Sequence, residues 1–341
     1  MTNADPEPAA PAGNVAAGPW PGGAPPSPAR NPGIALDLGW VRGVRINRSA
    51  VERRAAMLTA RRSIKKAWQA AWLLKAVSVL DLTTLAGDDT PARVRRLCAK
   101  ARRPLSVDLL DALGMGGALS VAAVCVYHAM LPSARAALAG SPVGLAAVSA
   151  GFPAGLSAFE TRVREIDASV AAGAAEIDIV IHRGHVLTGD WQALYDEVRA
   201  FREACGAAHL KAIVAAGDLA TLRNVGRASL VCMMAGADFV KTSTGKEGVN
   251  ATLPFALVMA RTIRDYHERT GHRVGFKAAG GIGAAKAALA YQTLMNEELG
   301  RDWLRPELFR IGASSLLGDI ERQLEHHLTG RYSAFNRHPA A

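Results

Sequence analysis

Two lysines stand where an amine can become a nucleophile. Lys241 closes the apolar run Phe239-Val240 and is followed at once by Thr242, Ser243, Thr244, Gly245 and a second lysine, Lys246. Lys277 repeats the design, closing Val274-Gly275-Phe276 shortly before Gly280 and Gly281. If the two runs are neighbouring parallel strands, about 4.8 Å apart, their ammonium groups disfavour each other's charge and one pKa falls. A neutral amine near pH 7 is what attack on a carbonyl requires, so the pair points to imine chemistry. The bland alternative is two exposed strand-end lysines paired with unrelated carboxylates. It loses ground because two more charges sit inside apolar runs. In Glu176-Ile177-Asp178-Ile179-Val180-Ile181 the three isoleucines share one face and leave Asp178 on the other. In Leu210-Lys211-Ala212-Ile213-Val214, Leu210, Ala212 and Val214 share the outer face and Lys211 points inward. Burying either charge alone costs roughly several kcal/mol, so Asp178 and Lys211 are expected to pair across adjacent strands.

Phosphate recognition needs unobstructed backbone N–H groups and positive charge. Gly245 and Lys246 offer this after the Lys241 run, Gly280 and Gly281 after the Lys277 run, and Ser314 and Ser315 after Gly312-Ala313. The two serines serve equally well as N-caps of a last helix. Two further residues border these segments. Thr83, in Asp81-Leu82-Thr83-Thr84-Leu85, either touches substrate or caps the helix that follows Asp88-Asp89-Thr90. Cys125 closes another apolar run, where a packed small residue is the simpler role. No metal site is assigned: His182 and His185 are separated by Gly184 in an expected loop, and His326-His327 falls on an exposed last helix.

The elements that must position these residues follow from the rhythm of the chain. Apolar strand-like runs occur at Val77 to Leu82, Val121 to Val126, Leu145 to Ser149, Glu176 to Ile181, Leu210 to Ala215, Phe239 to Thr242, Val274 to Ala278 and Leu308 to Gly312. Amphipathic stretches long enough for crossover helices lie between them, among them Trp191 to Cys205, Leu219 to Met234, Pro254 to Arg269 and Ala284 to Leu299. The alternation predicts an α/β fold, a closed TIM (β/α)8 barrel whose strand C-termini carry the site. No G-x-G-x-x-G follows the first strand, which sets aside a dinucleotide-binding sheet. Ala50 to Leu74 reads as an N-terminal helical extension closing the bottom of the barrel, with Trp68 and Trp72 on one face. Residues 1–40 read as a disordered Pro/Ala/Gly-rich tail, 41–335 as the barrel with its N-terminal helix, and 336–341 as a C-terminal tail.

Composition narrows the partners. Of 341 residues, 50% are hydrophobic, ample for one large core. The net charge of +10 raises the question of nucleic acid. The basic residues concentrate in Arg53 to Lys66 and Arg93 to Arg103, without interleaved aromatics, and read as solvated helix faces, so no nucleic-acid partner is expected. Cys98, Cys125, Cys205 and Cys232 are far apart, which suits a reducing cytoplasm and no disulfide framework. No uninterrupted apolar run reaches about 18 residues, so no membrane partner is expected.

Taken together, these residues resemble the deoxyribose-phosphate aldolase family, in its longer eukaryote-like branch. The resemblance runs from about Lys75 to Tyr332. It is carried by D-L-T-T-L (81 to 85), A-A-V-C-V-Y (122 to 127), E-I-D-I-V-I (176 to 181), L-K-A-I-V (210 to 214), F-V-K-T-S-T-G-K (239 to 246), G-F-K-A-A-G-G (275 to 281) and F-R-I-G-A-S-S-L-L (309 to 317). It implies reversible cleavage of 2-deoxy-D-ribose 5-phosphate to acetaldehyde and glyceraldehyde 3-phosphate. Lys241 would form the Schiff base, Asp178 and Lys277 would relay protons, and Lys211 would support Asp178. Gly245, Lys246, Gly280, Gly281, Ser314 and Ser315 would hold the phosphate, with Thr83 and Cys125 near the substrate. No cofactor is implied, since the iminium is itself the electron sink. The implied partners are small-molecule sugar phosphates and aldehydes, with a homo-oligomer left open. Two departures stand out. The family often reads K-P-A-G-G-V-R or K-P-A-G-G-I-R at the seventh loop, where this chain has Ala278 for the proline and Gly283 for the arginine. Some members end in a tyrosine that reaches the site; Tyr332 is the nearest counterpart here and takes no assigned role. Another lysine-imine barrel aldolase, or a non-catalytic barrel that binds sugar phosphates, are the alternatives.

Overall fold

The computed structural model describes residues 30–61, 64–115, 119–334 and 337–338. Each of the eight apolar runs forms a strand: β1 (Leu80–Thr83), β2 (Ala123–Tyr127), β3 (Gly144–Ser149), β4 (Glu176–Val180), β5 (His209–Ile213), β6 (Phe239–Lys241), β7 (Gly275–Ala279) and β8 (Phe309–Ala313). All pair in parallel in sequence order, and β8 closes on β1, so the barrel has no free edge. The helices are α1 (Leu38–Gly43), α2 (Arg48–Arg61), α3 (Lys66–Ser78), α4 (Pro91–Arg102), α5 (Val107–Ala112), α6 (Leu131–Leu138) and α7 (Phe159–Ala171), then α8 (Arg183–Thr188), α9 (Trp191–Ala204), α10 (Leu222–Met234), α11 (Leu253–Thr270), α12 (Ala285–Leu299) and α13 (Leu316–Thr329). Their starts are written in the sequence. Thr90, Asp190, Thr221 and Thr252 each accept a hydrogen bond from a first-turn N–H, and Pro91 and Pro254 stand in first turns that need no donor. Thr90, not Thr83, therefore caps α4.

Strand alternation separates two environments. The outward residues Ile177, Ile179, Leu210, Ala212, Val240 and Phe276 are fully buried under the helix ring and belong to one continuous apolar core. The inward side holds buried charged residues together with Phe239, whose ring lies beside Lys211 and Arg310, and a small apolar patch of Cys125, Ala146 and Val148 on β2 and β3. The larger apolar core therefore lies outside the sheet, and the ion pairs lie within it.

Two expectations about the N-terminal segment need correction. The single helix expected over 50–74 is two, α2 and α3, and neither closes the barrel bottom. They lie on the outer ring, α2 against α11 and α12, and α3 against α12 and α13. Arg54 fixes α2 through Glu297 at 2.6 Å and Glu298 at 3.2 Å, so a residue read as solvated helix face is a brace. Trp72 packs on the core, whereas Trp68 is 71% exposed. Of the expected tail, residues 1–29 lie outside the described residues, but 30–40 are ordered against the barrel. The reason is polar rather than apolar. Asn31 is buried, and its Nδ2 donates to the carbonyls of Met233 at 2.8 Å and Ala237 at 2.9 Å, just where α10 ends and its last carbonyls lose their intrahelical partners. Its Oδ1 accepts from Tyr266 Oη, and its backbone N–H donates to Asp238.

Asn31→Ala leaves the buried Ala237 carbonyl without its donor and takes one partner each from the Met233 carbonyl and the Tyr266 hydroxyl. The expected loss is about 1–3 kcal/mol of unfolding free energy. It is measured as a lower urea midpoint at unchanged m-value, and a midpoint equal to that of the parent chain contradicts the anchor.

Candidate active site

Register brings the inward charges together. Lys241 on β6 is directly opposite Lys277 on β7, and Asp178 on β4 is opposite Lys211 on β5. Lys277 is central in its strand rather than terminal, because β7 runs on to Ala279. Asp178 Oδ2 accepts from Lys241 Nζ at 2.7 Å and from Lys277 Nζ at 2.8 Å. One carboxylate oxygen thus holds both amines. Asp178 Oδ1 has Lys211 Nζ at 3.4 Å and no hydrogen-bond donor among the described residues.

Lys211 is inward as expected, but Asp178 is not its main partner. Its Nζ donates to Glu176 Oε2. Glu176 lies two residues before Asp178 on the same face of β4, and it also binds Arg310 of β8, with Nη2 to Oε1 at 2.7 Å. Arg310 Nη1 in turn reaches Asp81 Oδ1 at 2.5 Å, and Asp81 Oδ2 faces Lys277 Nζ at 2.5 Å. Asp81, Glu176 and Arg310 escaped the sequence reading. Each is a charged residue flanked by apolar ones in a strand, the same signal that exposed Asp178 and Lys211.

The interior therefore holds four cations, Lys211, Lys241, Lys277 and Arg310, against three carboxylates, Asp81, Glu176 and Asp178. Burial alone would neutralise carboxylates, but Lys241, Lys277 and Lys211 hold Asp178 well below the usual range. Arg310 leads the cations that do the same for Asp81, and Arg310 with Lys211 keeps Glu176 ionised. The lysines diverge. For Lys277, the Asp178 and Asp81 carboxylates outweigh burial and lift the pKa above the ordinary lysine value. Lys241 has Asp178 alone, and burial, with Lys277 beside it, drives its pKa down. Burial outranks the neighbouring cation that the sequence suggested as the cause. Cys125 is fully buried, and its thiol is pushed up to about 11, first by burial and then by Asp178. It is a packed thiol, not a nucleophile.

Above this interior, at the C-terminal strand ends, opens a cleft of about 480 Å³. Thr83, Gly245, Lys246, Gly280, Gly281, Ser314 and Ser315 all line it. Gly312 forms part of its floor, where an added Cβ would stand 3.1 Å from Lys277 Cε, so a side chain there would press on the amine below. Gly280, at φ +90°, has Asn250 side-chain atoms 2.7–2.8 Å from where a Cβ would be, so the turn requires glycine. Gly245 differs from expectation in one respect. Its N–H and that of Thr244 donate to the Glu247 carboxylate, so it supplies an open wall rather than a donor. The Ser315 side chain makes no capping bond, which removes capping as the reason for its hydroxyl. Thr83 Oγ1 donates to the Asp81 carbonyl at 2.8 Å.

Other candidates lie elsewhere. Arg183–Thr188 is a short helix rather than a loop, and the His182 and His185 rings lie tilted with centroids 4.6 Å apart, His185 beside Glu197. Tyr332 follows α13, which runs from the strand C-termini to the opposite end of the barrel, and it stacks on His326 at 4.2 Å, away from the cleft. Among the described residues no group of His, Cys, Asp and Glu is arranged to hold a metal, and no helix is long and apolar enough to cross a membrane.

Known proteins are close to this chain in sequence. Human and mouse proteins named deoxyribose-phosphate aldolase are 58% and 59% identical, covering 91% and 90% of this chain and 99% and 98% of their own length. A Caenorhabditis elegans protein named putative deoxyribose-phosphate aldolase is 48% identical over 73% of this chain and 80% of its own. The barrel also matches the structure of a putative deoxyribose-phosphate aldolase from Toxoplasma gondii, with a TM-score of 0.66 at 18% identity, over 79% of this chain and 98% of that one. The sequence model for the DeoC/LacD family aldolases matches residues 75–318, which span every strand of the barrel and every inward charge described above. The chain belongs to the DeoC/LacD family of aldolases.

Proposed function

We propose that the chain catalyses the reversible cleavage of 2-deoxy-D-ribose 5-phosphate to acetaldehyde and D-glyceraldehyde 3-phosphate through an imine on Lys241. The carrying observation is the shared Asp178 oxygen: two amines in contact with one carboxylate, one of them driven toward neutrality and the other held protonated. Human, mouse and bovine proteins of this name, 56–59% identical, support the substrate.

Neutral Lys241 Nζ attacks C1 of the open-chain aldehyde, and Lys277, as the standing ammonium, supplies the proton that lets the carbinolamine lose water. The product is a protonated imine. Asp178 takes the C3 hydroxyl proton, the C2–C3 bond breaks, and its electrons pass into the iminium to leave an enamine. Asp178 suits this step because Oδ1 faces only the Lys211 ammonium while Oδ2 anchors both amines. Glyceraldehyde 3-phosphate departs, the enamine takes a proton at carbon, and water releases acetaldehyde and the free lysine. Lys246, Gly280, Gly281, Ser314 and Ser315 hold the phosphate at the cleft rim, with Gly245 as an open wall and Thr83 and Cys125 bordering the carbon chain. The partner is thus a small sugar phosphate. All four cysteines are free and buried, which fits a reducing compartment.

Borohydride reduction in the presence of 2-deoxyribose 5-phosphate is expected to add a two-carbon fragment to Lys241, and EDTA to leave turnover unchanged. Peptide mass mapping decides it, since an adduct on another lysine, or none, sinks the assignment. Asp178→Asn should lower kcat about 10² to 10⁴-fold, the usual worth of a positioned proton-transfer group.

The pH dependence has a definite sign. Lys241 reacts as the free amine, so the trapping rate rises with pH through its pKa, which lies below the ordinary lysine value of about 10.4. Lys277→Leu removes the neighbouring cation and leaves Asp178 Oδ2 to Lys241; both changes favour the ammonium. The trapping midpoint should therefore move to higher pH, and a midpoint that stays or falls contradicts the role given to Lys277.

A further inference from the structure

The phosphate end of the cleft carries a second cation that none of the expected site residues accounts for. Its lining includes two positive side chains, Lys246 and Arg93, and no carboxylate. Arg93 reaches the cleft from the first turn of α4, beyond β1, whereas Lys246 approaches from the loop after β6. Since β1 is hydrogen-bonded to β8, Arg93 stands on the side of the Ser314-Ser315 turn. Gly283 lines the same cleft, with its Cβ direction 3.1 Å from Ser315 Oγ.

The placement of Arg93 is built rather than incidental. Thr90 Oγ1 accepts its backbone N–H and Pro91 starts the helix, which fixes where the side chain leaves. Asp89 is buried and held by Thr84 Oγ1 at 2.7 Å and the Ala86 N–H at 3.1 Å, and its Oδ1 lies 3.5 Å from Arg93 Nε. Among the described residues its other ion pair is Nη1 to Asp88 at 3.2 Å, a carboxylate 82% exposed and so weakly competitive. Arg93 Nη2 makes no hydrogen bond among the described residues. A cation in a first helical turn also opposes the helix dipole, and a bound anion would relieve that opposition.

Resting on the function proposed above, we infer that Arg93 is a substrate-specificity residue of this chain: it binds the phosphate of the sugar opposite Lys246 and supplies the charge that Gly283 lacks. A planar guanidinium with Nε beside Asp89 and Nη1 on the exposed Asp88 keeps Nη2 for a phosphate oxygen. Arg93 touches only the non-reacting end of the substrate, so its loss acts on binding.

The test compares 2-deoxyribose 5-phosphate with 2-deoxyribose in the parent chain, Arg93→Ala, and Arg93→Ala with Gly283→Arg. The single variant should raise KM for the phosphorylated sugar about tenfold, the factor that corresponds to about 1.4 kcal/mol, with kcat and all kinetics on the free sugar unchanged. Inhibition by inorganic phosphate should weaken in parallel, and the added arginine at 283 should restore the preference for the phosphorylated substrate. Equal impairment on both sugars would make Arg93 structural and overturn the inference, as would an unchanged KM. Absence of aldol cleavage of either sugar by the parent chain would instead overturn the proposed function, so the two failures are distinct.

Discussion

Asp178 lies with no exposed surface inside the barrel and shares one oxygen between two amines, a contact that neither amine could keep without the other charges around it. Four cations and three carboxylates in a closed interior leave one positive charge in excess. An unpaired buried charge is costly, and the cheapest remedy is for one cation to give up its proton. Arginine does not do so at any ordinary pH, and Lys277 is held by two carboxylates. Lys241, with a single carboxylate that it shares, is the group whose deprotonation brings the interior into balance. The lowered Lys241 pKa is thus a consequence of charge counting over the whole interior, and the Lys277 neighbour is only one contributor.

Such a network demands that its members be fixed to within tenths of an ångström, and the fold supplies this from outside. The inward charges come from β1, β4, β5, β6, β7 and β8, whose register is set by parallel pairing and by the apolar outer faces packed under the helices. The segments before β1 brace the helices behind the reactive strands: residues 30–40 tie to the end of α10, α2 to α11 and α12, and α3 to α12 and α13. The extension therefore stiffens the half of the barrel that carries Lys241, Lys277 and the serine turn.

Much of this was legible because a charge inside an apolar strand has few explanations. Lys241, Lys277, Asp178 and Lys211 were each visible as such, as were all eight strands. Asp81, Glu176 and Arg310 carry the same signal but stand at or near strand starts, where a charged residue reads as a boundary. Without them the interior looked like one Asp178–Lys211 pair plus two lysines, and electrostatic repulsion took the place that burial occupies. The tail boundary failed for a different reason. Composition marks 1–40 as unable to bury apolar surface, and Asn31 is ordered by hydrogen bonds to helix-end carbonyls, which leave no trace in hydropathy.

The two ends of the site solve opposite problems with the same residue types. At the reacting end every cation has a carboxylate, because an unpaired charge would be intolerable out of water and because proton transfer needs partners in contact. At the cleft rim the charges are cations without a lining carboxylate, because there the counter-charge is meant to arrive with the substrate. Gly312 lies between the two, and its missing side chain lets the floor of the cleft rest almost on Lys277. In the proposed reaction, binding energy gained at the phosphate holds the aldehyde against Lys241 without any charge of the rim entering the interior, which keeps affinity and nucleophile pKa independently adjustable.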